Sequence, residues 1–108
     1  MGAPIFHGIG ASTGEAEGAV RIVRSHADSS RFQDGDVLVT KITDPTMVAM
    51  MGRAAAIICD IGSITSHPSI VSREMGIPCV VNTQVATTTL RDGQRVRVNG
   101  STGEVYLI

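Results

Sequence analysis

The chain is poor in aromatic side chains, with no Trp, one Tyr and two Phe among its 108 residues. Single-stranded nucleic-acid binding depends on aromatic rings that stack on the bases, so this composition argues against it. Binding to a phosphate backbone needs a concentrated basic patch. The formal net charge is −1, and Asp92 interrupts the arginines between Arg91 and Arg97. We therefore expect no nucleic-acid partner.

Long apolar runs and cysteines are also scarce. No stretch approaches the roughly 20 apolar residues that a membrane span requires. Residues 1–10 show no basic region followed by an apolar one, so no signal peptide is predicted. Cys59 and Cys79 are the only cysteines, and both lie in apolar runs, which favours buried thiols over zinc or redox chemistry. These features predict a cytoplasmic chain without a membrane partner and without a metal site of its own.

Short runs of β-branched residues dominate the first half of the chain. Residues 1–108 have an ordinary size for a single domain with one core. Turn signals and β-branched runs predict two strands, at Gly18–Arg24 and Asp36–Ile42. The polar segment Ser25–Gln33 between them is predicted to be an exposed loop.

The pattern then changes to helical spacing. Thr43 or Asp44 can cap a helix, and Pro45 suits its first position because the N–H that proline lacks would be unpaired there. Methionines and valine follow at helical spacing as core filler, up to a predicted C-cap at Gly52. The sequence therefore predicts a short helix after the second strand.

The second half alternates buried strands with helices. Ala54–Asp60 is a continuous apolar run, typical of a strand buried on both faces. A helix over Pro68–Met75 that ends at Gly76, followed by a strand over Pro78–Asn82, completes a βαβ unit, whose crossover is expected to be right-handed. The remaining predicted elements are a short helix at Val85–Leu90 and a hairpin formed by Arg95–Asn99 and Glu104–Ile108. The fold class is α/β.

The segment Asp60–His67 follows the first buried strand and leads directly into a helix. Open α/β sheets place their sites here, beyond the carboxyl ends of strands. The segment contains two small residues, two hydroxyls and one imidazole: Gly62, Ser63, Thr65, Ser66 and His67. Helix N-termini suit an anion, and a neutral imidazole is a nucleophile. The segment therefore predicts a histidine that can carry a phosphoryl group.

Structural interpretations of these residues remain open on chemistry alone. His67 precedes Pro68, so it could be an ordinary N-cap residue, and Thr65 and Ser66 could be plain capping groups. Asp60 is more typical of a turn or capping residue than of a magnesium ligand. A hydrolase that pairs His67 with Ser66 is disfavoured, because adjacent residues at a helix start rarely bring the hydroxyl onto the imidazole.

The residues from Thr65 to Val81 resemble the mobile, phosphohistidine-bearing domain of the phosphoenolpyruvate-utilising enzymes. The family pattern is Gly-Gly, a variable residue, Thr-Ser-His, Ala-Ala-Ile-Val, Arg-Glu and Gly-Ile-Pro. Its members include pyruvate phosphate dikinase, phosphoenolpyruvate synthase, enzyme I of the sugar phosphotransferase system, rifampicin phosphotransferase and phenylphosphate synthase. Further matches occur in the same order along the chain, at Gly14–Val23, Gly35–Val39, Thr43–Pro45, Arg53–Ala56, Leu90–Gly93 and Val98–Gly100.

The resemblance implies a compact swivelling β/β/α domain with a mixed sheet and a buried βαβ unit. His67 matches the histidine that is phosphorylated, on Nε2 in the family. Thr65 and Ser66 match hydroxyl residues beside it, and the residues expected to position the phosphoryl group are Gly62, Ser63, Thr65, Ser66 and Ser69. Arg73 and Glu74 match a pair for which a helix-orienting or docking role and a structural salt bridge both remain open.

The chain departs from the family pattern at three places. Ser63 replaces the second glycine, which makes the loop stiffer or adds a hydroxyl. Pro68 and Ser69 replace the two alanines after the histidine; the proline removes one N–H from the helix start, and the serine adds a hydroxyl. Thr13 stands where a proline is common. None of these changes removes the histidine chemistry.

The resemblance also implies relay chemistry that needs other domains. In the family, an ATP-binding domain phosphorylates the histidine, and the carrier swings to a second site that accepts the group; enzyme I takes it from phosphoenolpyruvate instead. The chain has no Gly-x-x-x-x-Gly-Lys loop, so we expect ATP and magnesium on an ATP-grasp-type partner and no cofactor on this domain. The sequence predicts a phosphoryl carrier that is inactive alone. The alternative is a binding or regulatory module that keeps the fold.

Overall fold

Short strands and short helices alternate along residues 2–108, the part of the chain that the computed structural model describes. The strands are β1 (Phe6–His7), β2 (Ile9–Ser12), β3 (Glu15–Ile22), β4 (Val37–Thr40), β5 (Ala56–Cys59), β6 (Cys79–Val81), β7 (Arg95–Asn99) and β8 (Glu104–Leu107). The α-helices are α1 (Val48–Met51), α2 (His67–Met75) and α3 (Ala86–Thr89), and 3₁₀ helices cover His26–Ser30 and Pro45–Met47. The predicted α/β class is confirmed.

The strands form one mixed sheet in the order β1-β8-β7-β3-β4-β5-β6-β2. The pairs β3–β4, β4–β5 and β5–β6 are parallel, and the remaining pairs are antiparallel. Helix α2 connects β5 to β6, where Ile57 pairs with Cys79, so the predicted βαβ unit is confirmed. The predicted hairpin is also present, as β7 and β8.

The first two strands lie at opposite edges of the sheet although Gly8 alone separates them. The Gly8 N–H donates to the Gly103 carbonyl at 2.8 Å. A Cβ at Gly8 would lie 2.4 Å from the carbonyl oxygen of Val81 in β6, the strand that pairs with β2. A residue with a side chain would therefore clash there. The chain thus bridges the two edges and bends the sheet into a near-barrel. The sequence analysis missed β1 and β2, which have only two and four residues.

Alternate residues of the parallel strands pack into two separate cores, one on each face of the sheet. Both faces are apolar for this reason, which explains the continuous apolar runs in the sequence. Leu38, Ile57 and Cys59 pack towards the methionines of α1 and the preceding turn. Val39 and Ile58 pack on the opposite face, with the valines of the β7–β8 hairpin. Because both faces are covered, the carboxyl ends of these strands have fixed positions.

The segments before and after β4 differ from the prediction in two details. Asp44 caps the helix as predicted, and its carboxylate accepts from the Thr46 N–H at 2.8 Å, but the helix begins with a 3₁₀ turn before α1. The segment Ser25–Gln33 is not simply an exposed loop. It contains a 3₁₀ helix and the buried ring of Phe32, over which the Arg53 guanidinium lies at 5.6 Å. A single aromatic residue in a polar segment gives no periodicity that would reveal its burial.

The two cysteines are buried and unbridged, as expected. Burial raises the pKa of both thiols, and that of Cys79 reaches about 11. The longest helix in the described part of the chain, α2, has nine residues, and none there is both long and apolar enough to cross a bilayer.

Candidate functional site

The candidate site lies where the parallel strands β4, β5 and β6 end at one edge of the sheet. The loops after these strands are joined through their backbones: the Ile61 N–H donates to the Lys41 carbonyl at 3.0 Å, and the Gln84 N–H donates to the Asp60 carbonyl at 2.8 Å. Helix α2 begins at the same edge. This is the position at which sheets of this kind hold their sites, and it is the position predicted from the sequence.

His67 is the first residue of α2, and its ring is fixed by a threonine from another loop. The imidazole Nδ1 lies 2.7 Å from the hydroxyl oxygen of Thr43, which follows β4 and is buried. Either group can be the donor in this bond. When Nδ1–H donates to Thr43, the lone pair of Nε2 is left free, so this tautomer presents Nε2 as the nucleophile.

The helix start corrects one interpretation of the sequence. Ser66 occupies the N-cap position, and its side chain makes no capping bond; His67 is therefore not the N-cap. Pro68 lies at the second helical position and is buried. Since proline has no N–H, this helix start offers one donor fewer to an anion than it would with alanine.

Three donors converge on the Ser63 carbonyl and shape the loop before His67. The Ser66 N–H and hydroxyl lie 3.1 and 2.7 Å from this oxygen, and the Ser69 hydroxyl lies 2.6 Å from it. Ser69 is fully buried. The hydroxyls of Ser66 and Ser69 thus bind the loop backbone, and they hold the segment that leads into the histidine.

The side chain of Ser63 stabilises the exposed part of the same loop. Its Oγ lies 3.1 Å from the Thr65 hydroxyl and accepts from the Thr65 N–H at 3.3 Å. Both side chains are exposed. The serine that replaces the second glycine therefore orders Thr65, and both hydroxyls remain at the surface close in sequence to His67.

Gly62 begins this loop with a backbone that favours glycine. Its φ is +138°, and a Cβ there would lie 2.9 Å from the Ser66 hydroxyl and 3.2 Å from Cβ of Val81. A side chain would therefore displace Ser66, whose hydroxyl supports the loop. The first glycine of the pattern is needed for the loop conformation.

Arg73 ties the loop to the neighbouring strand. Its guanidinium donates to the carbonyls of Ala11 at 2.9 Å and Ile64 at 2.7 Å. Within residues 2–108, the exposed side chain of Glu74 forms no hydrogen bond or ion pair, so the alternative of a salt bridge within the Arg73–Glu74 pair is not realised. Arg73 thus connects α2 to β2 and to the loop before His67, and a helix-orienting or docking role for the pair remains a prediction.

Asp60 has the capping role that its position at a strand end suggested. Its carboxylate accepts from the N–H and the hydroxyl of Thr87 at the start of α3. Across the described residues, no group of three or more His, Cys, Asp and Glu side chains has an arrangement that could hold a metal ion. The carboxylate therefore connects two loops of the site edge.

A cleft of about 360 Å³ lies beside the histidine loop, between the residues that follow β3 and β4. Arg24, Lys41 and Asp44 contribute to its walls. The bonds that Asp44 accepts from the Thr46 hydroxyl and N–H lower the pKa of its carboxyl group. Arg24 and Lys41 form no hydrogen bond or ion pair through their side chains within residues 2–108, so the cleft presents two free cations.

Thr43 is the site residue that the sequence analysis did not identify as one. It was assigned as a possible helix cap, and it lies 24 residues before the histidine that it contacts. Two signals were available: its place after a buried strand, and the match of Thr43–Pro45 to the family pattern. Neither signal shows that the Thr43 hydroxyl contacts His67, at the end of the loop that follows β5.

The fold and the candidate site together define a small α/β domain with a histidine at the carboxyl ends of the parallel strands of a mixed sheet. The family model described as PEP-utilising enzyme, mobile domain, where PEP is phosphoenolpyruvate, matches residues 32–103. The chain belongs to this family of mobile domains.

Curated relatives agree with this assignment over almost the whole chain. A probable phosphoenolpyruvate synthase of Archaeoglobus fulgidus is 50% identical over 102 residues, which cover 94% of this chain and 14% of the relative. The phosphoenolpyruvate synthase of Pyrococcus furiosus is 49% identical over 102 residues, 94% of this chain and 12% of that protein. An uncharacterised phosphotransferase of Bacillus subtilis is 46% identical over 101 residues, 94% of this chain and 12% of the relative. The chain therefore corresponds to a small part of these proteins.

Solved structures agree on the fold. An enzyme I structure determined by NMR aligns with a TM-score of 0.63 and 27% identity, covering 74% of this chain and 33% of that one. Aconitase X of Thermococcus kodakaraensis aligns with a TM-score of 0.70 and 20% identity, covering 95% of this chain and 97% of that one. The second likeness concerns the fold alone.

Proposed function

We propose that this domain is a phosphoryl carrier in which Nε2 of His67 accepts a phosphoryl group from an ATP-bearing donor domain and passes it to a second site. The observation that supports this most directly is the 2.7 Å contact between Nδ1 and the Thr43 hydroxyl. A ring held through one nitrogen at a site edge offers the other nitrogen in a defined direction. Such positioning is the main contribution that a protein makes to phosphoryl transfer.

The phosphoryl transfer needs no general base on this domain. The Nε2 lone pair forms the N–P bond while the bond from phosphorus to the leaving oxygen of the donor breaks, and the Nδ1 proton stays on the ring, donated to Thr43. ATP and magnesium would be held by the donor domain, and that metal would neutralise the charge on the phosphates. In the second step the acceptor oxygen attacks phosphorus and Nε2 leaves with its lone pair.

The phosphohistidine would be stabilised by its surroundings. The positive end of α2 lies at His67, and the exposed hydroxyls of Ser63 and Thr65 precede it in an ordered loop. Pro68 removes one of the backbone donors at this end. We therefore assign most of the local hydrogen bonding of the phosphoryl group to side chains and to the partner.

A binding or regulatory module that keeps the fold is the second candidate, and Pro68 is the observation that favours it. A hydrolase is disfavoured by the geometry, because the Ser66 hydroxyl donates to the Ser63 carbonyl at 2.7 Å and therefore does not donate to His67. The two remaining candidates differ in whether His67 becomes phosphorylated.

The test is intact-mass measurement with site mapping under alkaline handling, which preserves phosphohistidine. The domain is incubated with ATP, magnesium and an ATP-binding domain from a phosphoenolpyruvate synthase that phosphorylates its own carrier. We expect an acid-labile phosphate on the wild type and on His26→Ala, a matched exposed histidine, and none on His67→Ala. A wild type that stays unmodified in the presence of the active donor would favour the binding module.

A further inference from the structure

Four large apolar side chains around His67 are exposed. Ile42, Ile61, Ile64 and Ile70 are 39%, 42%, 55% and 45% accessible to solvent. They are four of the nine large apolar residues with such exposure in the described part of the chain, so this one edge of the sheet carries almost half of them. We call these four residues the isoleucine collar.

Bonds already described place parts of the collar near the histidine. Ile42 precedes Thr43, whose hydroxyl contacts the imidazole, and the Ile61 N–H is bonded to the carbonyl of the adjacent Lys41. Ile70 lies three residues after His67 in α2, which places both on one face of the helix.

The backbone of the loop that carries Ile64 is fixed in this exposed position. Arg73 binds the Ile64 carbonyl at 2.7 Å, and the Ser63 carbonyl accepts three donors in the same loop. Isoleucine is stabilised when it moves from water to a buried position. Clustered exposed apolar residues of this kind mark a surface that another molecule covers.

Charge next to the collar indicates what covers it. The collar itself has no charged side chain. In the adjoining cleft, Arg24 and Lys41 are exposed without an ion pair within residues 2–108, and these two cations outnumber the carboxylate that Asp44 contributes to the same wall. An apolar face with two free cations beside it complements a surface that is apolar and presents a phosphate chain. A second copy of this domain would bring the same cations together and is therefore disfavoured.

We propose that the isoleucine collar is the docking face for the nucleotide-bearing donor domain, with Lys41 and Arg24 directed at the phosphate chain of its nucleotide. This inference rests on the proposed function and names the partner of the same site. The four isoleucines exclude water around Nε2 when the domains meet, which directs the phosphoryl group to the histidine instead of to water. The curated relatives are about seven to eight times longer than the matched segment, so a donor has room in such proteins.

The test compares Ile64→Ser with Leu107→Ser, a residue of similar exposure (47%) on β8 outside the collar. Each variant is assayed with the ATP-bearing donor domain and, separately, with phosphoramidate, a small phosphoryl donor that needs no docking. We expect the KM for the carrier to rise about tenfold in Ile64→Ser, with the phosphoramidate rate unchanged. Leu107→Ser should match the wild type in both assays. An unchanged KM in Ile64→Ser would overturn the proposal.

A binding measurement tests the docking face without phosphoryl transfer. The collar variants are made in a His67→Ala background and titrated with the donor domain and ADP in a calorimeter. We expect Ile64→Ser to weaken binding about tenfold, and Lys41→Gln to weaken it with a reduced dependence on salt, relative to Arg95→Gln as the exposed control. Failure of all proteins to take phosphate from phosphoramidate would count against the carrier function alone. Wild-type self-association that Ile64→Ser abolishes, without a loss of donor binding, would instead assign the collar to a second copy of the domain.

Discussion

The parallel strands β4, β5 and β6 are buried at every position, whereas the antiparallel strands β7 and β8 alternate buried valines with polar or half-exposed residues. The connecting segments differ in the same way. Side-chain hydroxyls and a guanidinium fix the loop before His67, while the antiparallel side closes through direct backbone contacts such as that between Gly8 and Gly103. Side chains also bond the backbone at the β7–β8 turn, where the Asn99 side-chain oxygen accepts from the N–H groups of Ser101 and Thr102 at 2.9 and 3.0 Å. The antiparallel side therefore differs in its close backbone contacts and not in a lack of side-chain bonds. Glycine is used where two backbones must meet.

The largest effect should come from filling the backbone contact on the antiparallel side. A Cβ at Gly103 would lie 2.1 Å from the Gly8 carbonyl oxygen, at a φ of +85°, whereas Gly93 has a similar φ of +88° and nothing within 4 Å. We expect Gly103→Ala to lower the free energy of unfolding by about 3 kcal/mol or more, and Gly93→Ala by about 1 kcal/mol. Urea denaturation measures both. Equal losses would show that the conformation, and not the close approach, selects glycine at Gly103.

On the parallel side, removal of the Thr43 hydroxyl should affect reactivity more than stability. Thr43→Val leaves Nδ1 without its partner, so we expect phosphorylation by phosphoramidate to slow roughly tenfold, in line with the loss of one hydrogen bond, and the pH profile of the rate to change. Thr43→Ser should restore both. Thr83→Val, which removes a buried hydroxyl bonded to the Cys59 carbonyl at 3.0 Å, should alter stability but not the rate. A normal rate in Thr43→Val would remove the threonine from the mechanism.

The serine bonds of the histidine loop allow a finer comparison. Ser69→Ala removes a buried donor at 2.6 Å from the Ser63 carbonyl, which keeps its two bonds from Ser66, so we expect a loss of about 1 kcal/mol. Ser72 is also fully buried in α2, and its hydroxyl makes no hydrogen bond of normal geometry within residues 2–108; its polar neighbour is the Cys79 thiol, a weak partner. Ser72→Ala should therefore be neutral or stabilising. Thermal denaturation of the two variants side by side measures the difference, and equal losses would contradict the loop-ordering role of Ser69.

The core itself should respond to alkaline pH. Burial raises the pKa of Cys79 from 9.0 to about 11, so above pH 9 the unfolded chain loses this proton before the folded chain does. Stability from this thiol is complete below pH 9 and falls as pH rises towards 11, by about 1 kcal/mol between pH 9 and pH 10. Urea denaturation at each pH, with Cys79→Ala as the control, measures this slope. An identical slope in the variant would show that other groups cause it.

Much of the fold could be predicted because the parallel strands satisfy a simple rule. Runs such as Ala54–Asp60 are apolar throughout since both faces are buried, and a helix between two such runs implies a βαβ unit. The strands β1 and β2 escaped prediction because they have only two and four residues, and so short a segment carries little alternation of apolar and polar residues. The burial of Phe32 escaped prediction because its ring packs in a core formed by residues from other parts of the chain.

The sequence indicated where the candidate site lies in the fold, but not which side chains meet there. The segment Asp60–His67 was identifiable from its place after a buried strand, and His67 from its place before a helix. The partners of each side chain depend on which loops meet at the sheet edge, which is why Thr43 was assigned to a cap. Ser69 and Arg73 were singled out, yet their acceptors, the carbonyls of Ser63, Ala11 and Ile64, carry no signal in the sequence.

The central claim is that Thr43 holds Nδ1 and leaves Nε2 as the nucleophile. Nitrogen-15 NMR of protein labelled in its histidine rings, recorded before and after reaction with phosphoramidate, tests this directly. We expect the neutral His67 ring to carry its proton on Nδ1, and the phosphoryl group to appear on Nε2 with Nδ1 still protonated. A phosphoryl group on Nδ1, or a free ring protonated on Nε2 alone, would contradict the account.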